Sequence, residues 1–467
     1  LLFALGAVAF HGQFQKVREE LEQSNVMDDI EVKKFVSEQP IDHFELTNTE
    51  VIPIHYQINE QFYTKEGPLF VDLGGEGTLS PNALKGRFII NSYAEKYKGL
   101  MLAIEHRFYG DSLPKDGLTQ KNLGYLSAAQ ALEDYVMIID KVKKEYQVSG
   151  PVIVIGGSYS GNLAAWIRQK YPNVVYAAIA SSAPVYATAE FTEFMDVIAK
   201  DMGDECTKAW KEAHETMEEK FKTAEGRKEL KEKFNTCTDI TSDLDFTIFV
   251  QEIQATFINY PQYNGTFSLS VEGVCDMLTA EGKTPYENMA EFVKYADNEF
   301  GMPCAPSSYQ NMLKAMANTK SEKEGNKYAN TRSWSWQICS EYSYFQPITA
   351  SQPFTQRLNN DFYYKLCKDI FNISKSRLDR RIKHTNMMYG GFYPKATNVA
   401  YTSGSTDPWN PLAKHETFSS DVNCYASHIE GTSHCADIYS PKAGDKDDLV
   451  QQRAETLAFI DELIKRY

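Results

Sequence analysis

The chain has 467 residues, with 48 Lys and Arg against 63 Asp and Glu, a formal net charge of −15. That balance excludes a nucleic-acid binder, which needs concentrated Lys and Arg to neutralise phosphates, and it disfavours anionic membranes. Hydrophobic residues make up 42% of the chain, a globular composition, and the length implies one large domain with a sizeable insertion, or two domains.

Leu1 to Phe10 are almost all apolar and read as the end of a secretory signal peptide, a remnant over residues 1–20. No run of 18 apolar residues occurs anywhere, so no membrane-spanning helix is expected. From about Gly67 to Val185, short apolar strands alternate with helical patterns. Gly67 to Leu73, Leu100 to Ile104, Pro151 to Ile155 and Val175 to Ala180 read as strands, and Ser127 to Tyr146 as a helix. Apolar strands separated by helices form a mainly parallel sheet covered on both faces. Residues 187–385 turn helical and cysteine-rich, with Asp201 to Phe234 reading as an amphipathic, solvent-facing helix or pair. From about Tyr389 the strand pattern resumes, in Val399 to Thr402 and Asn423 to Ile429, and Asp447 to Tyr467 reads as a closing helix. The architecture expected is a sheet domain over 36–186 and 386–467, interrupted by a helical cap over 187–385. A cap rising from the carboxyl ends of the strands lies over the site.

The chain has eight cysteines, none before Cys206 and none in a CxxC pair. Zinc and thioredoxin-like readings are therefore weak, and no metal or cofactor is expected. An even count suggests disulfides in an oxidising compartment. Sequons at Asn264 and Asn372 agree with a secreted or lysosomal glycoprotein.

Ile153-Val154-Ile155-Gly156-Gly157-Ser158-Tyr159-Ser160-Gly161 is the most informative stretch. A buried strand runs into two glycines, then Ser158, then a helix. This is the pattern of a nucleophile elbow, which lifts a serine hydroxyl clear of the sheet at a helix N-terminus. Ser160 stands where the usual pattern has its last glycine. It is the rival nucleophile and the weaker one, since no glycine precedes it by two positions. A serine needs a base, and on such a sheet the acid and then the base follow it in chain order. Asp407 follows the strand Val399 to Thr402, and Pro408 restrains it. His434 follows the next strand, in Gly431-Thr432-Ser433-His434. His428 lies within that strand and reads as a packed core residue, and His415 falls in a helix between the two. The expected oxyanion donors are the backbone N–H of Tyr159 and of Gly75 or Glu76, in Leu73-Gly74-Gly75-Glu76-Gly77.

With these residues in view, the chain resembles the family of prolyl carboxypeptidase, dipeptidyl peptidase II and thymus-specific serine protease. The segments that carry the resemblance include Gln39 to Phe44, Leu73 to Gly77, Glu105-His106-Arg107-Phe108-Tyr109-Gly110, Gly156 to Gly161, Ser181-Ser182-Ala183-Pro184, Asp407-Pro408-Trp409 and Gly431 to His434. The wording is most similar to thymus-specific and invertebrate members. The resemblance implies an α/β-hydrolase with a helical, disulfide-bearing cap, and cleavage of peptides near a terminus, at prolyl or small penultimate residues. It implies the pairs Cys206–Cys275, Cys237–Cys304, Cys339–Cys367 and Cys424–Cys435, the last clamping the His434 loop. Two departures leave the direction of cleavage open. Cys435 stands where prolyl carboxypeptidase has a second histidine, and Ser335 stands where dipeptidyl peptidase II has an amine-gripping acid. Glu76 and Glu341 are candidates to grip an amine, and Trp334, Trp336 and Trp409 to line an apolar pocket. The expected partner is a peptide substrate, with a homodimer left open. An esterase or lipase on the same fold, and a non-catalytic secreted binding protein, are the rival functions.

Overall fold

The computed structural model describes residues 30–264, 267–417 and 422–467, so the signal-peptide expectation at residues 1–20 lies outside the described residues. Eight strands form one sheet in the order β1-β2-β4-β3-β5-β6-β7-β8. They are β1 (Lys33–Pro40), β2 (Val51–Asn59), β3 (Leu69–Leu73), β4 (Leu100–Ile104), β5 (Val152–Gly157), β6 (Ala177–Ser181), β7 (Val399–Gly404) and β8 (Tyr425–Ile429). The β1–β2 hairpin is antiparallel and joins β4 antiparallel, while every pair from β4 to β8 is parallel. This is an α/β-hydrolase sheet. Its central strands are buried along their length, because helices cover both faces.

Two helices matter most below the site. One is α1 (Ala128–Glu145), which Ser127 caps by accepting from Gln130 N. The other is α2 (Tyr159–Lys170), which leaves β5 through Ser158. Arg107 and Asp134 of α1 are both fully buried and form a two-pronged ion pair at 2.6 and 2.8 Å. Arg107 also donates to the carbonyls of Pro40, Ile41 and Tyr125, and His43 Nε2 lies 2.7 Å from Asp134 Oδ1. Burial alone would raise the Asp134 carboxyl, but the Arg107 guanidinium outweighs it and holds the group below its usual range. Residues of the family-like segments Gln39 to Phe44 and Glu105 to Gly110 thus form a clamp around the buried Arg107–Asp134 pair that seats the hairpin on α1.

Among the described residues no strand of the sheet lies between Ser181 and Val399. The interval carries helices, including α3 (Glu193–Phe221), kinked at Gly203 (φ 74°), and α4 (Asp243–Gln262). The latter starts with a reciprocal Ser242–Asp245 capping box and is buried from Asp245 onward. Three disulfides tie this insertion: Cys206–Cys275, Cys237–Cys304 and Cys339–Cys367.

The fourth implied pair is corrected. Cys424 and Cys435 are both thiols, and the Cys424 sulfur donates to the Ala396 carbonyl at 3.3 Å. Cys424 immediately precedes β8 and Cys435 lies beyond its far end. A five-residue strand separates its ends by roughly 16 Å, whereas a disulfide needs Cα atoms within about 7 Å. His428 also differs from expectation: it is exposed, because β8 is the sheet's edge, and its ring lies 5.2 Å from that of His415. His415 sits in a loop rather than a helix.

Candidate active site

Ser158 ends β5 and begins α2 with φ 59° and ψ −126°. A non-glycine residue held there is strained, and such strain persists only where the surroundings enforce it. The enforcement is visible. Ser158 N donates to Ser181 O at 2.8 Å, and Asn162 N donates back to Ser158 O. A Cβ on Gly156 would lie 2.1 Å from Ser160 O, and one on Gly161 would lie 2.8 Å from Ser181 O, so the turn closes only with glycine at both places. Ser160, the rival nucleophile, turns its hydroxyl back on the turn: Oγ accepts from Gly157 N and donates to Gly157 O, both at 2.9 Å. It serves as a brace of the elbow.

Asp407 follows β7 and His434 follows β8, both at the carboxyl edge of the sheet and both fully buried as side chains. His434 Nδ1 lies 2.8 Å from Asp407 Oδ1, which also accepts Trp409 N at 2.9 Å. A carboxylate at Nδ1 puts the ring proton there and leaves Nε2 as the basic atom. His434 Nε2 has no hydrogen-bond partner among the described residues. The elbow adjoins this loop: a Cβ on Gly157 would stand 3.0 Å from the Cys435 sulfur.

What holds His434 in place went unread in the sequence. Asp437 is buried, and its carboxylate accepts the hydroxyls of Ser181 (β6) and Thr402 (β7), the latter at 2.7 Å. Ser181 is also the residue whose carbonyl receives Ser158 N. Cys435 N donates to Ser182 Oγ at 2.9 Å, and Arg453 donates to the carbonyls of Ala436 and Asp437. The clamp expected from a Cys424–Cys435 bond is therefore made by Asp437 and Arg453. From the insertion, α4 ends by presenting the Gln262 carbonyl to His434 N at 3.0 Å, and Tyr263 stands edge-on to the His434 ring. The nearby Ser181-Ser182 and His434 to Asp437 segments were the available signals.

Gly75 packs against Ser160, bringing the loop after β3 to the elbow: a Cβ on Gly75 would lie 3.3 Å from that of Ser160. Tyr159 opens α2, and its buried hydroxyl joins His106 Nε2 at 3.0 Å and Gln337 Nε2 at 2.7 Å. Glu76 is buried, its Oε1 has no hydrogen-bond partner among the described residues, and burial pushes its carboxyl up. A cavity of about 200 Å³ lies against this loop, lined among others by Gly75, Glu76, Gly157, Ser160 and Cys435. A second, of about 460 Å³, is lined by His434 itself.

The expected pocket residues scatter. The Trp409 ring lies 6.3 Å from that of His434, and the Trp334 ring lies 5.4 Å from that of Tyr159. Trp336 instead abuts Phe371. Glu341, a candidate amine grip, is buried with its carboxyl accepting Ala128 N at the start of α1. Asn264 lines the cavity beside His434, while Asn372 is exposed at a helix end.

The profile of the serine carboxypeptidase S28 family matches residues 39–456. The chain belongs to that family. S28 relatives include the thymus-specific serine proteases of Mus musculus, 30% identical over 88% of this chain and 84% of the relative, and of Homo sapiens, 29% identical over 88% and 83%. The lysosomal Pro-X carboxypeptidase of Pongo abelii is 26% identical over 80% of this chain and 77% of its own. This S28 chain is accordingly a serine peptidase.

Burial also sets a pH dependence of stability. Asp72, Glu105, Asp201, Asp297 and Glu341 are each pushed up to about 7, in every case chiefly by burial. Such groups hold their protons in the folded state and lose them on unfolding. Their contribution is full below their unfolded values near 4 and is lost as pH rises through about 7. His106 and His214, lowered to about 4 by burial, act oppositely: their contribution is full above about 6.5 and is lost as pH falls through about 4. Five acids outweigh two histidines between these limits. The melting temperature is expected to be higher at pH 5 than at pH 8. Calorimetric scans across that range check it, and a higher value at pH 8 would contradict it.

Proposed function

We propose that the protein is a serine exopeptidase in which Ser158, His434 and Asp407 act as nucleophile, base and orienting acid. The backbone of Ser158 carries this reading: a serine held at φ 59° and ψ −126° between strand and helix is the conformation that exposes a nucleophile above a sheet. In the reaction His434 Nε2 takes the Ser158 hydroxyl proton as Oγ attacks the peptide carbonyl. The tetrahedral oxygen meets the N–H of Tyr159 and one from Gly75 or Glu76. On collapse, His434 gives its proton to the leaving nitrogen. Water then attacks the acyl-enzyme by the same route in reverse.

The S28 relationship supports peptides over simple esters, and it supports cleavage near a terminus at prolyl or small penultimate residues. Disulfides through the insertion support a secreted or lysosomal location. No helix among the described residues is long and apolar enough to cross a membrane.

Labelling with a fluorophosphonate probe tests the assignment. Wild-type protein is expected to label at one site and Ser158→Ala not at all. Equal labelling of the two would remove Ser158 from the mechanism.

A further inference from the structure

Two histidines outside the proposed triad meet at the edge of the sheet. His428 is on β8, and His415 lies in the loop that follows Asp407. Both are exposed, and their rings are nearly perpendicular, at 88°, with centroids 5.2 Å apart. The strand register explains the meeting. His428 is paired with Ser403 of β7, so the two side chains stand together on one face of the sheet. His415 returns to the same serine from the Asp407 loop.

The ring nitrogens converge on one atom. His428 Nδ1 lies 3.3 Å from Ser403 Oγ, and His415 Nδ1 lies 3.5 Å from it. The hydroxyl has a single proton and can serve only one of the two rings. Both separations are also long for a hydroxyl donor, which bonds at about 2.8 Å. They match a different geometry. Ligands held tetrahedrally about 2.0–2.1 Å from a Zn²⁺ ion lie roughly 3.3–3.4 Å from one another.

His415 is oriented for that role. Its Nε2 lies 2.8 Å from the Asn410 carbonyl, which can only accept, so the ring proton is on Nε2 and the lone pair on Nδ1. Metal-binding imidazoles are fixed in this way, by an acceptor on the far nitrogen. Neutral imidazole suits Zn²⁺, Cu²⁺ and Ni²⁺, whereas Ca²⁺ and Mg²⁺ take oxygen ligands.

We infer that His415, His428 and Ser403 form a site for a transition-metal ion of the Zn²⁺ class. Among the described residues no third His, Cys, Asp or Glu completes the set, so water fills the remaining positions and the ion exchanges with solution, unlike that of a closed structural centre. Bound there, the ion bridges β8 to the loop after β7, and so joins the strand that leads to His434 to the loop that carries Asp407. Asn410 extends the link, since its N donates to the Asp407 carbonyl at 2.9 Å. The ion takes no part in the proposed acyl transfer, and the inference does not depend on that reading.

The test is calorimetric titration of the metal-stripped protein with Zn²⁺, on wild type and on His415→Ala and His428→Gln separately. Wild type is expected to bind one Zn²⁺ that each variant binds at least about 10-fold more weakly. Zn²⁺ should raise the melting temperature of wild type and not of the variants, and Ca²⁺ should raise neither. Both rings are exposed, so the metal-free variants should melt close to wild type, and either one alone decides if the other fails to fold. Identical Zn²⁺ titrations in wild type and a folded variant would overturn the site, as would displacement of the Zn²⁺ by an equal concentration of Ca²⁺. Fluorophosphonate labelling reports separately on Ser158, so loss of labelling bears on the nucleophile and not on the metal site.

Discussion

Replacing His434 with alanine is expected to lower kcat by about 10⁶ while KM changes little. On the proposed mechanism the Ser158 hydroxyl attacks a carbonyl only as its proton is removed, and His434 is the proposed base. Its Nδ1 is committed to Asp407 at 2.8 Å, and its Nε2 has no other hydrogen bond among the described residues. Asp407 cannot take the place of the base, since it is fully buried and its Oδ1 accepts Trp409 N. Alanine would also empty a buried position beside Asp407, so the comparison should include His434→Gln, which better fills that volume. Steady-state rates on a chromogenic peptide, with melting curves as the folding control, measure the effect. A kcat within tenfold of wild type would remove His434 from the mechanism.

Asp407→Asn is expected to cost about 10⁴ in kcat with the fold retained. Among the described residues the carboxylate's hydrogen bonds, from His434 Nδ1 and from Trp409 N, end on Oδ1, and Oδ2 has no partner. An amide can therefore sit two ways. With its oxygen in the Oδ1 position it keeps both bonds but offers no negative charge to the imidazolium. With its nitrogen there it donates to Nδ1, forces the ring proton to Nε2, and leaves no lone pair for the serine. Either arrangement removes what the acid contributes. Single-turnover kinetics with the same peptide check it, and a loss under tenfold would show that Asp407 does not orient the base.

Much of this site was legible because its parts are marked locally. The elbow is written in Gly156, Gly157 and Gly161, whose missing side chains the turn demands. Asp407 and His434 each follow a strand, and chain order did the rest. The β1–β2 hairpin was not read as strands. At the sheet's edge only one face is buried, and β1 carries Lys34 and Glu38 on the other. The Cys424–Cys435 pairing, implied by the family resemblance, failed because the two lie at opposite ends of β8. Asp437 was missed for a related reason. Its partners, Ser181 and Thr402, lie on strands distant in sequence and adjacent only in the sheet.

The covalent cross-links and the catalytic loops occupy separate parts of this molecule. All three disulfides lie within the helical insertion, whereas His434 is fastened to β6 and β7 through Asp437, Ser181, Ser182 and Thr402. A reductant therefore acts first on the roof and not on the bench where the chemistry is done. The end of α4 links them, through the Gln262 carbonyl on His434 N and the Tyr263 ring against that of His434. In a thiol-rich compartment the expected casualty is discrimination among substrates, with bond-breaking power outlasting it.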